Sequence, residues 1–155
     1  MDAARALAEL TEISSQIELA LIFDLRGELI EATITDRQRA ESMAFAAAAL
    51  LACTTQIAGP ERDEPVQVEL AYPEASILLV REGDLRILAL TTPEPISGLA
   101  FFELRACLRK LNDAKPKSRW RGIGKAFQSA TAKENASASE AKVPSSGEDA
   151  DDATQ

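Results

Sequence analysis

The longest helical pattern in this sequence, Arg37 to Ala58, constrains the fold more than any other segment. Asp36 is placed to cap its start, and Gly59-Pro60 is a strong stop signal. At 100° per residue, one stripe is predicted to face a sheet: Met43, Ala47, Leu50, Leu51, Thr54 and Ile57. The opposite face carries small or apolar residues in place of charges: Phe45, Ala48, Ala49 and Ala52. A helix that is apolar all round is normally buried on both sides, which predicts a partner for the second face.

Nothing else in the chain is predicted to cover that second face. With 155 residues, the chain is long enough for one good core but too short for two ordinary domains. Alanine is also a good helix former that tolerates water, and on that alternative the face needs no partner. Phe45 favours the partner, because a large aromatic side chain gains more from burial than alanine does.

The segment Asp24 to Gly27 raises the question of whether Asp24 is a catalytic acid or a turn residue. A continuous apolar run, Leu19 to Phe23, precedes it, and a mixed segment, Glu28 to Thr35, follows it. Aspartate bonds the backbone ahead of it in tight turns, and glycine accepts positive φ. The chain has no histidine, and no second carboxylate is spaced to share a proton with Asp24. The pattern therefore predicts a hairpin turn.

The remaining elements follow from periodicity and turn signals. Residues 2–13 and 97–111 have helical spacing, and Val66 to Tyr72 alternates as a strand with one buried face. Glu82-Gly83-Asp84 separates two apolar runs and predicts a second hairpin. The predicted fold class is α+β, in the order α-β-β-α-β-β-β-α.

Charge and composition exclude several functions. Residues 1–113 carry 10 Lys/Arg and 19 Asp/Glu, a net charge of −9, which opposes nucleic-acid binding. The start of the chain lacks a secretion signal, and the longest apolar run has ten residues, where a membrane span needs about 20. Cys53 and Cys107 lie in apolar helical contexts, as buried packing thiols do. We expect a cytoplasmic protein that holds no metal or cofactor.

Residues 114–127 form a basic segment with apolar residues at helical spacing. The predicted docking residues are Trp120, Ile123, Phe127, Lys117, Arg119 and Arg121. Candidate targets of residues 115–127 are an anionic membrane and an acidic protein groove, and a solubilising linker is an equally weighted alternative. Residues 128–155 are rich in alanine, serine and acids and are predicted to be a disordered tail.

Three blocks give the chain a specific resemblance: LIFDLRGELIEATI, AESMAFAAAALLACTTQIA and ILLVREGDLRILALTTPEPISGLAFFELRACLRKL. Over roughly residues 3–112 the sequence resembles the roadblock/dynein light-chain family, so residues 1–113 are assigned to a roadblock-like domain. The resemblance implies five antiparallel strands, with the long helix on one face and the terminal helices on the other.

The resemblance also implies an assembly and a role. Family members pair as dimers through the third strand and the long helix, which places Val66, Val68 and Leu70 at an edge that needs a partner. The alanine face of the helix would then pack against its symmetry mate or a client protein. Expected partners are a second copy or a roadblock-like paralogue, and a small Ras-like GTPase. The family's role is that of a non-enzymatic adaptor, so no catalytic residue is carried over. Arg37 and Arg39 are either arginine fingers or, on the favoured interpretation, solvated charges.

Two other function classes are less favoured. A small-ligand sensor of mixed α/β type needs polar groups to orient its ligand, and the predicted inward positions carry few. An enzyme is disfavoured more strongly, because the chain has no histidine and no GxxxxGKS/T phosphate-binding motif.

Overall fold

The computed structural model describes residues 2–114. Its elements are α1 (Ala3–Ile13), β1 (Ile17–Asp24), β2 (Leu29–Ala32), α2 (Arg37–Ala58), β3 (Gln67–Ala71), β4 (Ser76–Glu82), β5 (Leu85–Thr91) and α3 (Ser97–Ala114). The predicted order is confirmed. The third helix continues three residues past its predicted end at Leu111.

The five strands form one antiparallel sheet in the order β2-β1-β5-β4-β3. Strand β1 lies inside the sheet between β2 and β5, and its apolar run is buried from Leu19 to Phe23. A strand covered on both faces needs such a run in place of alternation. Strand β3 lies at one edge, where its alternating pattern leaves every second residue exposed.

Each face of the sheet has its own hydrophobic core. Helices α1 and α3 cover one face, with Leu7, Leu104 and Leu108 packed against Ile22 and Ile87. Helix α2 covers the other face through a smaller cluster: Leu21, Phe23, Ala44, Ala47, Leu51, Leu79 and Leu88. The predicted three layers, with the long helix opposite the two terminal helices, are confirmed.

Asp24 is a turn residue, as its sequence context predicts. Its Oδ1 accepts hydrogen bonds from the backbone N–H groups of Arg26 and Glu28, at 2.8 and 2.9 Å, and Gly27 N–H donates to its carbonyl. Partial burial raises the pKa of the Asp24 carboxyl, but these N–H donors and the Arg26 charge outweigh it and hold that pKa below its ordinary value. The carboxylate therefore stabilises the turn above that pKa and loses this effect as pH falls through it.

Gly27 is required at this turn for two reasons. Its φ is +81°, and an added Cβ would lie 2.9 Å from Ala48 Cβ and 3.3 Å from Phe45 Cα. We expect Gly27→Ala to cost about 2 kcal/mol or more in urea unfolding, because it combines backbone strain with a clash against α2. Gly83→Ala is the matched control. Its φ of +59° is strained as well, but the added Cβ meets only the Asn112 side chain. If both variants lose the same free energy of unfolding, the contact of Gly27 with α2 contributes nothing to the cost of Gly27→Ala.

The buried stripe of α2 differs from the predicted one. The four buried positions are Ala40, Ala44, Ala47 and Leu51. Ile57, predicted to face the sheet, is 88% exposed, and Cys53, predicted to be buried, is also exposed. Both predictions are wrong because the buried stripe is rotated around the helix relative to the predicted one. Six residues after Leu51, Ile57 lies about 120° away around the helix.

Helix α2 is long and apolar enough to cross a membrane when only length and composition are considered. Buried helices of globular domains meet the same criterion, and α2 packs against the sheet through its alanine-rich stripe. In its most apolar stretch, 22% of the residues are buried. Two large apolar side chains of the helix, Phe45 and Ile57, are exposed among the described residues.

Candidate functional site

An apolar groove runs between α2 and strands β3, β4 and β5 of the sheet. Its volume is about 200 Å³. One wall comes from α2, and the floor comes from β3, β4 and β5. The lining residues are Met43, Ala46, Ala47, Leu50, Leu70, Ile77, Leu79, Leu88 and Leu90. Among residues 2–114, no charged side chain lines this groove, so these residues offer shape and apolar area and no group for acid–base chemistry.

The four helix residues predicted to meet a partner differ in their solvent exposure. Phe45 is 69% exposed, and Ala49 and Ala52 are exposed as well. Ala48 is half-buried, because the β1–β2 turn packs against it at Gly27. Phe45 and Ala48 thus lie on the flank of α2 that faces this turn, while the groove lies on the opposite flank.

The three predicted strand residues lie at or beside the sheet edge. Val68 and Leu70 are half-buried on the α2 side of β3, and Leu70 also lines the groove. Val66 is exposed and immediately precedes the strand. Edge and groove are therefore parts of one surface, joined at Leu70.

The hydrogen bonds of β3 show which backbone groups face outward. Val66 accepts from Arg81 N–H, and Tyr72 N–H donates to Ala75, so the even-numbered residues of this segment pair with β4. In an antiparallel pair the alternate residues direct their N–H and C=O groups away from that neighbour. Three residues do so here: Gln67, Glu69 and Ala71. Among residues 2–114, no strand pairs with this outer edge.

A buried ion pair holds the loop that leads into β3. Arg86, on β5, is only 2% exposed, and its Nε donates to Glu64 Oε2 at 3.0 Å. Its Nη2 donates to the same oxygen, and its Nη1 donates to the carbonyl of Asp84 at 3.1 Å. A buried guanidinium needs such partners, so Glu64 anchors the α2–β3 loop to the sheet.

The two arginines considered as fingers lie at the start of α2. Arg37 forms a 2.9 Å ion pair with Glu41, and both side chains are more than half exposed. Arg39 is exposed, and its backbone N–H donates to the capping Asp36. Within the described part of the chain, no three His, Cys, Asp or Glu side chains gather to hold a metal ion.

Sequence reasoning missed the groove and its lining. Ala46 was assigned to neither face of the helix, and Ile77 and Leu90 were placed only in strands. The signal was present in the strand pattern, because Leu70 and Ile77 pair across β3 and β4 and so lie on one face. The predicted docking segment, residues 115–127, and the tail, residues 128–155, lie outside the described residues, and both stay predictions.

The fold agrees with solved structures. A roadblock/LC7 domain from Streptomyces avermitilis superposes with a TM-score of 0.65 and 14% identity, covering 73% of this chain and 97% of that one. The chain has the roadblock fold. MglB of Myxococcus xanthus is similar to it at 15% identity and a TM-score of 0.54, covering 72% of this chain and 91% of its own.

A gliding protein, MglB of Thermus thermophilus, shares the roadblock fold at 16% identity and a TM-score of 0.53, covering 70% of this chain and 89% of its own. No family model and no curated protein sequence matches the chain. The likeness thus lies in the order and packing of elements, which survive when individual residues have changed.

Proposed function

We propose that this protein is a non-enzymatic regulatory adaptor that pairs with a second roadblock-fold chain and engages a small Ras-like GTPase. The observation that carries the proposal is the surface formed by the β3 edge and the α2 groove. Within residues 2–114, it offers unpaired backbone groups beside an uncharged apolar groove. A second copy, or a paralogue of the same fold, supplies both a strand for the edge and an apolar helix for the groove.

The physical case for pairing rests on what remains open in one copy. Exposed strand edges invite another strand, and large open apolar surfaces mark interaction sites. Phe45 and Ile57 are both more than two-thirds exposed on α2. Covering the groove and the edge together buries apolar area and satisfies main-chain hydrogen bonds in one contact.

The GTPase is proposed from the fold and from the family resemblance. Among the similar structures are two MglB proteins, one of them described as a gliding protein. The resemblance implies that roadblock proteins act on small Ras-like GTPases by positioning them. The proposed location is the cytoplasm, where such GTPases are found.

The test is direct binding between the purified chain and the small Ras-like GTPases of the same genome. Each GTPase is loaded with GDP or with a non-hydrolysable GTP analogue, and binding is followed by interferometry. We expect one GTPase to bind in a nucleotide-dependent manner. Single-turnover GTP hydrolysis of that GTPase, with and without the chain, then separates activation from scaffolding. Binding that is absent in both nucleotide states for every GTPase contradicts the proposal.

A small-ligand sensor is the second candidate, and the groove is the observation that bears on it. At about 200 Å³ the groove is smaller than the roughly 300–1,000 Å³ of typical ligand pockets. Its lining also lacks polar side chains that would orient a ligand. Both properties suit a packed helix better than a bound metabolite.

A further inference from the structure

The outer edge of β3 restricts how two copies can pair. Its outward residues are Gln67, Glu69 and Ala71, and two identical strands related by a two-fold axis pair all three when the axis passes through Glu69. Shifting the register by one pair sets Pro65 opposite Ala71, or Pro73 opposite Gln67. Proline has no N–H to donate. The prolines therefore favour the register centred on Glu69.

The centred register has an electrostatic cost. It places Glu69 directly opposite Glu69 of the second copy, with Cα atoms about 5.5 Å apart. Like charges directly opposite each other destabilise an antiparallel pair. Ser97 Oγ donates to Glu69 Oε1 at 2.7 Å, which ties the carboxylate to the α1/α3 side of the sheet. Among residues 2–114, no ion pair neutralises it.

We infer that Glu69 determines the partner specificity of the β3 edge, weakening self-pairing and favouring a strand with a neutral or basic residue at the facing position. This inference rests on the proposed pairing through β3. The backbone supplies affinity for any strand, whereas the central carboxylate distinguishes one strand from another. The favoured partner is a roadblock-fold chain whose edge strand carries Gln, Lys or Arg opposite Glu69.

The first experiment measures self-association by sedimentation equilibrium for the full chain and two variants. We expect Glu69→Gln to tighten self-association about threefold, because it keeps the shape and removes the like-charge contact. The difference from the wild type should shrink in high salt. Glu69→Lys should self-associate no more tightly than Glu69→Gln. In an equimolar mixture of Glu69→Lys and wild type, mixed dimers should exceed the half of all dimers that random pairing would give.

The second experiment reads the register by disulfide formation. In a Cys53→Ala background, Glu69→Cys should cross-link two copies, because facing residues of a hydrogen-bonded pair meet the Cα distance of a disulfide. Val68→Cys and Leu70→Cys are matched controls that cross-link only in the shifted registers. The native Cys107 thiol does not interfere, since burial raises its pKa to about 11 and it donates to the carbonyl of Ala6.

The outcomes distinguish a failure of the inference about Glu69 from a failure of the proposed pairing through β3. If neither the wild type nor any Glu69 variant self-associates or cross-links, pairing through β3 is wrong. If all of them pair with equal affinity and mix statistically, pairing stands and the role of Glu69 is overturned. Cross-linking through Val68→Cys or Leu70→Cys in place of Glu69→Cys also overturns it, because the carboxylates then do not face each other.

Discussion

Replacing Glu64 with alanine is expected to destabilise the domain by about 3–5 kcal/mol, the cost of leaving a buried charge without its partner. Arg86 is almost fully buried, and Glu64 Oε2 accepts from two of its nitrogens. After the substitution the guanidinium keeps only the carbonyl of Asp84. It can neither lose its proton nor reach water without disturbing the sheet. Urea unfolding measures the loss, and a fall in melting temperature of roughly 10 °C or more accompanies it.

The reciprocal substitutions give the control. Arg86→Met should cost less than Glu64→Ala, because the Glu64 side chain that remains is 21% exposed and can be hydrated. The double variant, Glu64→Ala with Arg86→Met, should recover part of the loss, since no buried charge is left. If Glu64→Ala costs less than about 1 kcal/mol, the ion pair does not anchor the loop that leads into β3.

Periodicity and turn chemistry were enough to predict the helices and strands and their order along the chain. The apolar run of β1, the turn at Asp24 and Gly27, and the alternation in β3 each determine local structure through nearby residues. Such short-range patterns can be read from one sequence. The family resemblance added the layer arrangement, which periodicity alone leaves open.

The exposure of the residues on α2 was predicted only in part, because helix rotation is set by tertiary packing. Alanine contributes little to a hydrophobic pattern, so the sequence did not distinguish Ala44, which is buried, from Ala46, which is exposed. The packing of Gly27 against Ala48 is likewise a contact between residues far apart in the chain, which no local pattern indicates. The pairing of Arg86 with Glu64 spans 22 residues, and no local pattern indicates it.

The second large effect is expected at Ala46, where glutamate should weaken self-association by about a hundredfold or more. Ala46 is exposed in a single copy but lines the groove, so the substitution places a charge where the partner's helix is proposed to pack. Burying a carboxylate without a counter-ion costs several kcal/mol, and a two-fold axis applies that cost twice. The stability of the single copy should change by no more than about 0.5 kcal/mol.

Ala52→Glu is the matched control, with the same change at another exposed alanine of the same helix. Ala52 lies six residues after Ala46, about 120° away around α2, on the side away from the groove. Light scattering across a concentration series, with urea unfolding of each variant, compares the two. A partner seated in the groove makes Ala46→Glu the more disruptive variant.

The opposite ranking has an equally definite meaning. If Ala52→Glu dissociates the assembly and Ala46→Glu does not, the contact lies on the flank that carries Phe45, and the groove over β3 to β5 is not the interface. If the wild type stays monomeric at all concentrations and copurifies with no roadblock-fold partner, the proposed pairing is wrong. The outer edge of β3 and the groove then stay available to a protein of another fold, since strand edges and open apolar surfaces are common interaction sites.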